Sequence, residues 1–212
     1  MFKRILKIIL IILIIILISL IVNNLREATI IYKYSQKLDE FSNIKNFYAK
    51  YEENGNITEY WAKDNRGVTK NVTEEDEMRL LYVDEDWIWI LTETKNEQGE
   101  MQKEAVKQKN TADKGIFVPD IATYSLYAEN RWQSIAIAIN STITDEEVDG
   151  EKCYKIYFSD DLIIYVNKET YMNKKEINSG REKILLEYKL NSVSDEDLEI
   201  LNFLGYKVKS VD

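Results

Sequence analysis

Residues 162–177 read LIIYVNKETYMNKKEI, and this stretch decides the fold. Leu162, Ile164 and Val166 alternate with Ile163, Tyr165 and Asn167; the polar tip Lys168-Glu169-Thr170 follows, and a second extended run ends at Ile177. Alternation at period two on both sides of a short polar tip is the pattern of a β-hairpin. The pattern continues in both directions. Upstream, ITDEEV (143–148) turns at Asp149-Gly150 into KCYKIYF (152–158), which turns again over Ser159 to Asp161. Downstream, Ser179-Gly180 leads into KILLEYKL (183–190), whose Ile184, Leu186, Tyr188 and Leu190 are expected on one face. The whole of 142–190 therefore reads as an antiparallel meander.

The same period governs the middle of the chain. NFYAKYEENGNITEYWAK (46–63) places Phe47, Ala49 and Tyr51 on one side and turns at Asn54-Gly55, a pair suited to a two-residue hairpin turn. MRLLYV (78–83) is a strand, followed by an acidic turn over Asp84 to Asp86 and a second strand from Trp87 to Thr94. In that second strand Trp87, Trp89 and Leu91 lie on one face and Ile88 and Ile90 on the other, so it needs cover on both sides. After a turn at Asn96 to Gly99 comes a run rich in Lys, Gln and Glu, which reads as a sheet edge protected from aggregation. Behind Pro119, the only proline, Asp120 is placed to cap a helix over Ile121 to Arg131. That helix carries Ile121, Tyr124, Tyr127 or Ala128, and Trp132 at helical spacing, and SIAIAI (134–139) is expected to revert to strand. The tail after Ser194 is read as a short helix or irregular segment. The fold class is α+β, with roughly seven to nine strands that curl into a half-open barrel wrapping one or more helices.

The N-terminus is of a different kind. Lys3, Arg4 and Lys7 precede an unbroken run from Ile8 to Val22 whose only polar member is Ser19. With Ile5 and Leu6 the run approaches the ~20 residues that a spanning helix needs, provided Lys7 snorkels to the headgroups. No small residues follow at the spacing a signal peptidase requires, so residues 1–24 are read as an uncleaved anchor with a short cytoplasmic tail. The basic start sets the N-terminus inside and the rest outside the cytoplasmic membrane. Leu25, Ala28, Ile31, Tyr34 or Ser35, Leu38 and Phe41 then follow helical spacing, which makes 25–43 an amphipathic helix joining the anchor to a domain over 44–212.

Composition narrows the functional classes. The 212 residues carry a net charge of −9; setting aside Lys3, Arg4, Lys7 and Arg26 leaves 24 bases against 37 acids, a balance of −13. Such a domain is expected to repel nucleic acid and anionic lipid headgroups within a Debye length. There is no histidine and one cysteine, Cys153, so the usual zinc ligand sets and the Ser/His/Asp and Cys/His constellations are absent. No disulfide can form within the chain. The acidic clusters at 74–77, 84–86, 145–147 and 195–197 lack the spacing of a calcium loop and sit where turns and helix starts favour solvated acids. Cys153, among apolar neighbours, reads as a buried inert thiol. No catalytic residue, metal ligand or cofactor is predicted.

Three segments, Asp149 to Phe158, Tyr165 to Thr170 and Tyr188 to Asp197, together resemble the C-terminal half of the lipoprotein-carrier superfamily that includes LolA, LolB and RseB. They match its G-x-x-C/A-Y-x-I strand, its Y-x-D-K-E-T-G-x-P hairpin and its V-x-D-E-D-like corner. Asn167 stands where that pattern has Asp, and Tyr171 and Asn173 replace its Gly and Pro. The resemblance implies a many-stranded half barrel around helices with a cavity that in some relatives receives acyl chains, here in a membrane-tethered form in a bacterium.

The expected function is that of a non-enzymatic extracytoplasmic domain that binds a lipid or a lipoprotein acyl chain in the concave face of its sheet. Phe47, Trp61, Trp87, Trp89, Leu91, Trp132, Ile156 and Tyr188 are the candidate lining, because such pockets are chiefly apolar and aromatic. Aromatic residues at strand spacing are more often ordinary core. The alternative is an envelope protein-interaction or sensing module of the same fold without a cavity. The expected partners are the cytoplasmic membrane, through residues 5–22, and either a lipid or lipoprotein ligand or an envelope protein.

Overall fold

The structure, a computed structural model, describes residues 2–42, 44–110, 126–199 and 205–211. The protein is α+β, with an N-terminal apolar helix and a large open antiparallel sheet; the described residues form twelve strands. It divides into two compact units, residues 1–40 with 122–172, and residues 41–121 with 173–212.

In the first unit, α1 (Phe2–Ser42) runs without interruption past residue 24, where the sequence reading separates anchor from amphipathic helix. Its large apolar side chains from Ile8 to Val22 are all exposed, and the helix is long and apolar enough to cross a membrane. Beyond the run the burial becomes one-sided. Ala28, Ile31, Tyr34, Ser35 and Leu38 are buried at the expected spacing, whereas Leu25 is exposed. Glu27 is also buried, and its carboxylate accepts a hydrogen bond from Asn23 Nδ2 at 3.0 Å.

SIAIAI does not form a strand: it lies within α2 (Arg131–Ile139). An alternation of Ile with Ala or Ser serves a helix equally well, and two local features settle the choice. Asn130 caps the helix, its side-chain oxygen accepting from the Trp132 and Gln133 amides at 3.0 and 3.1 Å. Ser134 and Ala138, one turn apart and small, are buried, and Ala138 packs with Ala28 and Ile31 of α1. Of the helix expected over Ile121 to Arg131, residues 121–125 lie outside the described residues, and residues 127–130 are not helical. The unit is completed by the meander β7 (Thr142–Val148), β8 (Glu151–Ser159) and β9 (Leu162–Asn167). Here Ile143, Ile156 and Ile164 stand opposite one another, and Cys153 is fully buried.

The second unit contains β1 (Asn46–Glu53), β2 (Asn56–Lys63), β3 (Arg66–Val72), β4 (Met78–Val83), β5 (Trp87–Lys95), β6 (Met101–Lys109), β10 (Asn173–Asn178), β11 (Arg181–Leu190) and β12 (Lys207–Val211). The short helix α3 (Asp195–Leu198) lies between β11 and β12. The strand order is β12-β6-β5-β4-β3-β2-β1-β11-β10. Every ladder given for this unit is antiparallel except β12 on β6, which is parallel. The expected edge at β6 is therefore covered, and the tail contributes a strand. β3 was not anticipated either.

Direct opposition across the ladders gathers Tyr48, Trp61, Val68, Tyr82 and Trp89 on one face. Val68, Leu80, Leu91 and Ala105 form the core on this face, closed by Val193 and Leu198 with Tyr206 packed against them. Phe47, Ala49, Tyr51 and Ala62 of β1 and β2 are buried on the opposite face, whereas Ile88 and Ile90 of β5 are only half-buried there. Tyr188 and Leu190 pair with Ala49 and Phe47, but a register shift between Lys50 and Tyr51 brings Ile184 opposite Glu52. Ile184 is thereby taken off the face it was expected to share with Tyr188 and Leu190.

Candidate functional site

A groove of about 410 Å³ lies in the first unit, between the segment of α1 just past the apolar run and the start of α2. Leu25, Ala28, Thr29, Tyr32, Lys33 and Gln36 line it from α1, and these residues recur at spacings of three and four, as one stripe of a helix must. Arg131, Ser134 and Ile135 line it from α2. Ala28 and Ser134 keep its floor low because neither has a side chain long enough to fill it.

Among the described residues the groove's lining holds no carboxylate, and aromatic rings hold its two cations. The Arg131 guanidinium lies 5.7 Å from the centre of the Tyr32 ring, and Lys33 Nζ lies 5.1 Å from that of Tyr171 while donating to its hydroxyl at 3.4 Å. Tyr171 in turn packs against Tyr154, ring centres 6.2 Å apart. Burial, then the neighbouring Tyr171, raises the pKa of the Tyr154 phenol above the ordinary value. Tyr171 has φ +57°, a left-handed conformation that costs a bulky residue about 1–2 kcal/mol. The ring is thus kept there against its backbone preference. Nearby, Asp145 bridges Lys168 at 2.7 Å and Arg26 at 3.6 Å, and the hydrogen bond from Lys168 holds its carboxyl below the usual range.

The candidates read from sequence do not converge on this groove. Trp61, Trp89 and Leu91 belong to the core face of the second unit, where Trp61 packs against Tyr48 at 5.4 Å. Trp87 lies at the start of β5 with Lys107 Nζ 3.6 Å from its ring centre. Phe47 and Tyr188 stack at 6.2 Å on the opposite face, and burial raises the Tyr188 phenol pKa well above its ordinary value. Ile156 is fully buried in the core of the first unit. Trp132, next to Arg131, is 82% exposed.

Sequence reading missed Tyr32, Lys33 and Arg131. The only signal for the first two was their place on the α1 stripe; Arg131 is separated from them by almost a hundred residues. Among the described residues, no three of Asp, Glu and Cys are grouped to hold a metal ion. No protein-family model matches the chain, and none of the curated proteins matches it.

Proposed function

We propose that the protein is a membrane-anchored, extracytoplasmic, non-enzymatic domain of the LolA-like kind in a bacterium, and that it binds an apolar ligand, a lipid or the acyl chain of a lipoprotein. In this reading the sheet curls as a half-open barrel around helices, and the ligand is received at the groove between α1 and α2. The observation that carries the reading is the continuity of α1: the helix that is apolar and exposed over Ile8 to Val22 continues directly into a partly apolar groove at Leu25 and Ala28. A ligand leaving the bilayer meets an apolar surface without crossing water. The three carrier-like segments, and the apolar sheet face of Phe47, Ala49, Ala62 and Tyr188, give further support.

The test is saturable uptake of a fluorescent fatty acid by delipidated full-length protein in detergent. Uptake of about one ligand per chain supports the reading. No saturable uptake by the wild-type chain removes the reading.

A second reading, a protein-interaction or sensing module with a filled core, draws on the closure of the other sheet face by Val193 and Leu198. Absence of uptake together with co-purification of a stoichiometric envelope protein favours it.

A further inference from the structure

We infer that the groove between α1 and α2 is a site for the phosphodiester headgroup of an anionic phospholipid drawn from the adjoining leaflet, with Arg131 and Lys33 on the phosphate and Leu25, Ala28 and Ile135 against the upper part of the acyl chains. The inference rests on the lipid-binding reading above and names its ligand class and its recognition.

Charge is the first ground. Past residue 26 acids outnumber bases 37 to 24, yet none of the nine lining residues is acidic and two are cationic. Surface lysines and arginines of so acidic a chain commonly find carboxylates, as Arg26, Lys63, Arg66, Lys103 and Lys155 do. Among the described residues Lys33 and Arg131 form no ion pair and rest on tyrosine rings instead. The rings orient the two cations without neutralising them, which leaves their N–H donors available to an anion.

Position is the second. At about 1.5 Å per residue, Leu25 lies roughly 4–5 Å beyond Val22, within the interfacial layer of about 5–7 Å that flanks the hydrocarbon core. Tyr32 and Lys33 are about two further turns, roughly 11 Å, beyond Leu25 and so past that layer, and a lipid held by them is lifted partly out of the leaflet. Helical side chains lean toward the N-terminus, so the long stem of Lys33 leans back toward the bilayer. Leu25 of the lining is 52% exposed, and Trp132, which follows Arg131 in α2, is 82% exposed; a half-polar indole is favoured at a lipid interface.

Chemistry is the third. A free inorganic anion would gain nothing from Leu25, Ala28 and Ile135, and a neutral lipid would gain nothing from the two cations. An anionic phospholipid uses both halves of the lining.

The experiment displaces a tail-labelled phosphatidylglycerol from full-length protein in detergent with unlabelled phosphatidylglycerol, with diacylglycerol and with inorganic phosphate. Phosphatidylglycerol is expected to compete about tenfold or more better than diacylglycerol, and phosphate not to compete. The double variant Lys33→Gln/Arg131→Gln should lose that preference while retaining its diacylglycerol affinity and its circular dichroism, and Lys33→Arg in place of Lys33→Gln should restore part of it. Equal competition by diacylglycerol and phosphatidylglycerol in the wild type overturns the headgroup site while leaving apolar-ligand binding intact. Displacement by phosphate overturns the membrane source of the anion. Failure of any lipid to bind saturably overturns both proposals.

Discussion

Asn46 is the pin that holds the C-terminal segment on the second unit's sheet, and removing it should be costly out of proportion to its size. Its Nδ2 donates to the Val193 carbonyl and its Oδ1 accepts from the Val193 amide, both at 2.9 Å, so one side chain satisfies both halves of a buried residue. Asn46→Ala removes both hydrogen bonds and leaves an N–H and a C=O beneath apolar cover. Bare buried groups cost about 1–3 kcal/mol each, partial access of water reduces this, and the loss expected for the pair is about 2–4 kcal/mol. Against a typical domain stability of about 5–15 kcal/mol that is a large fraction. Val193 and Leu198 close the cluster around Leu80 and Leu91, so the damage should spread to that face before global unfolding. The assay is urea unfolding of the full-length protein followed by tryptophan fluorescence, with limited proteolysis of the chain after Asn191 in native conditions. A loss below about 0.5 kcal/mol with unchanged proteolysis would refute the assignment of Asn46 as the pin.

Acid should release the same segment. Asp195 is held below its ordinary carboxylate value by Arg66 and then Lys63, Asp197 by its capping partner Ser194, and Glu93 by Lys103 and then Tyr206. Because the folded values are lower than the unfolded ones, the stabilisation is complete above the ordinary values of 3.8 and 4.5 and is lost as pH falls through the depressed ones. Pepsin cleavage within this segment should therefore rise steeply on acidification, and a segment that loosens toward neutral pH instead would contradict the assignment. Gly55→Ala should cost about 1–2 kcal/mol, since Gly55 has φ +83° and an added Cβ would meet the Glu74 carboxylate; denaturation of the variant and of Gly55→Ala/Glu74→Ala should show that removing Glu74 recovers only the steric part. Cys153, fully buried on β8, should resist a thiol reagent in the native protein and react on unfolding, as thiol titration in native and denaturing buffer will show.

Much of the sheet was legible because turn chemistry and period agreed. Asn54-Gly55, Asp149-Gly150 and Ser179-Gly180 all have positive φ at both residues, as their composition suggests. The apolar two-faced run around Trp89 forms a strand whose Leu91 face is buried in the core and whose Ile88 and Ile90 face is half-buried. What escaped reading depended on distant contacts or on ambiguous periods. β3, with Arg, Thr, Lys and Asn among its seven residues, lacks apolar contrast, and it is a strand because β2 and β4 pair with its two sides. β12 is a strand because β6, some hundred residues earlier, offers it a parallel edge. SIAIAI satisfies either period, and its small residues mattered for packing on α1 rather than for pattern. The groove was invisible for the same reason: Lys33 was a solvated position on a helix and Arg131 the end of an expected one, and only folding makes them neighbours.

The unbroken course of α1 also limits how the domain can work. Forty-one residues at about 1.5 Å each make a mast of about 60 Å, and the side chains buried at Ala28, Ile31 and Tyr34 belong to the same rod as those exposed from Ile8 to Val22. On the proposed lipid-binding reading, a mast without a swivel would leave the first unit no slack in which to drift from the bilayer, so a ligand taken by the groove would be handed over at the lipid surface rather than ferried away. A tilt of the greasy half would be felt at once by the groove residues that ride on the same rod.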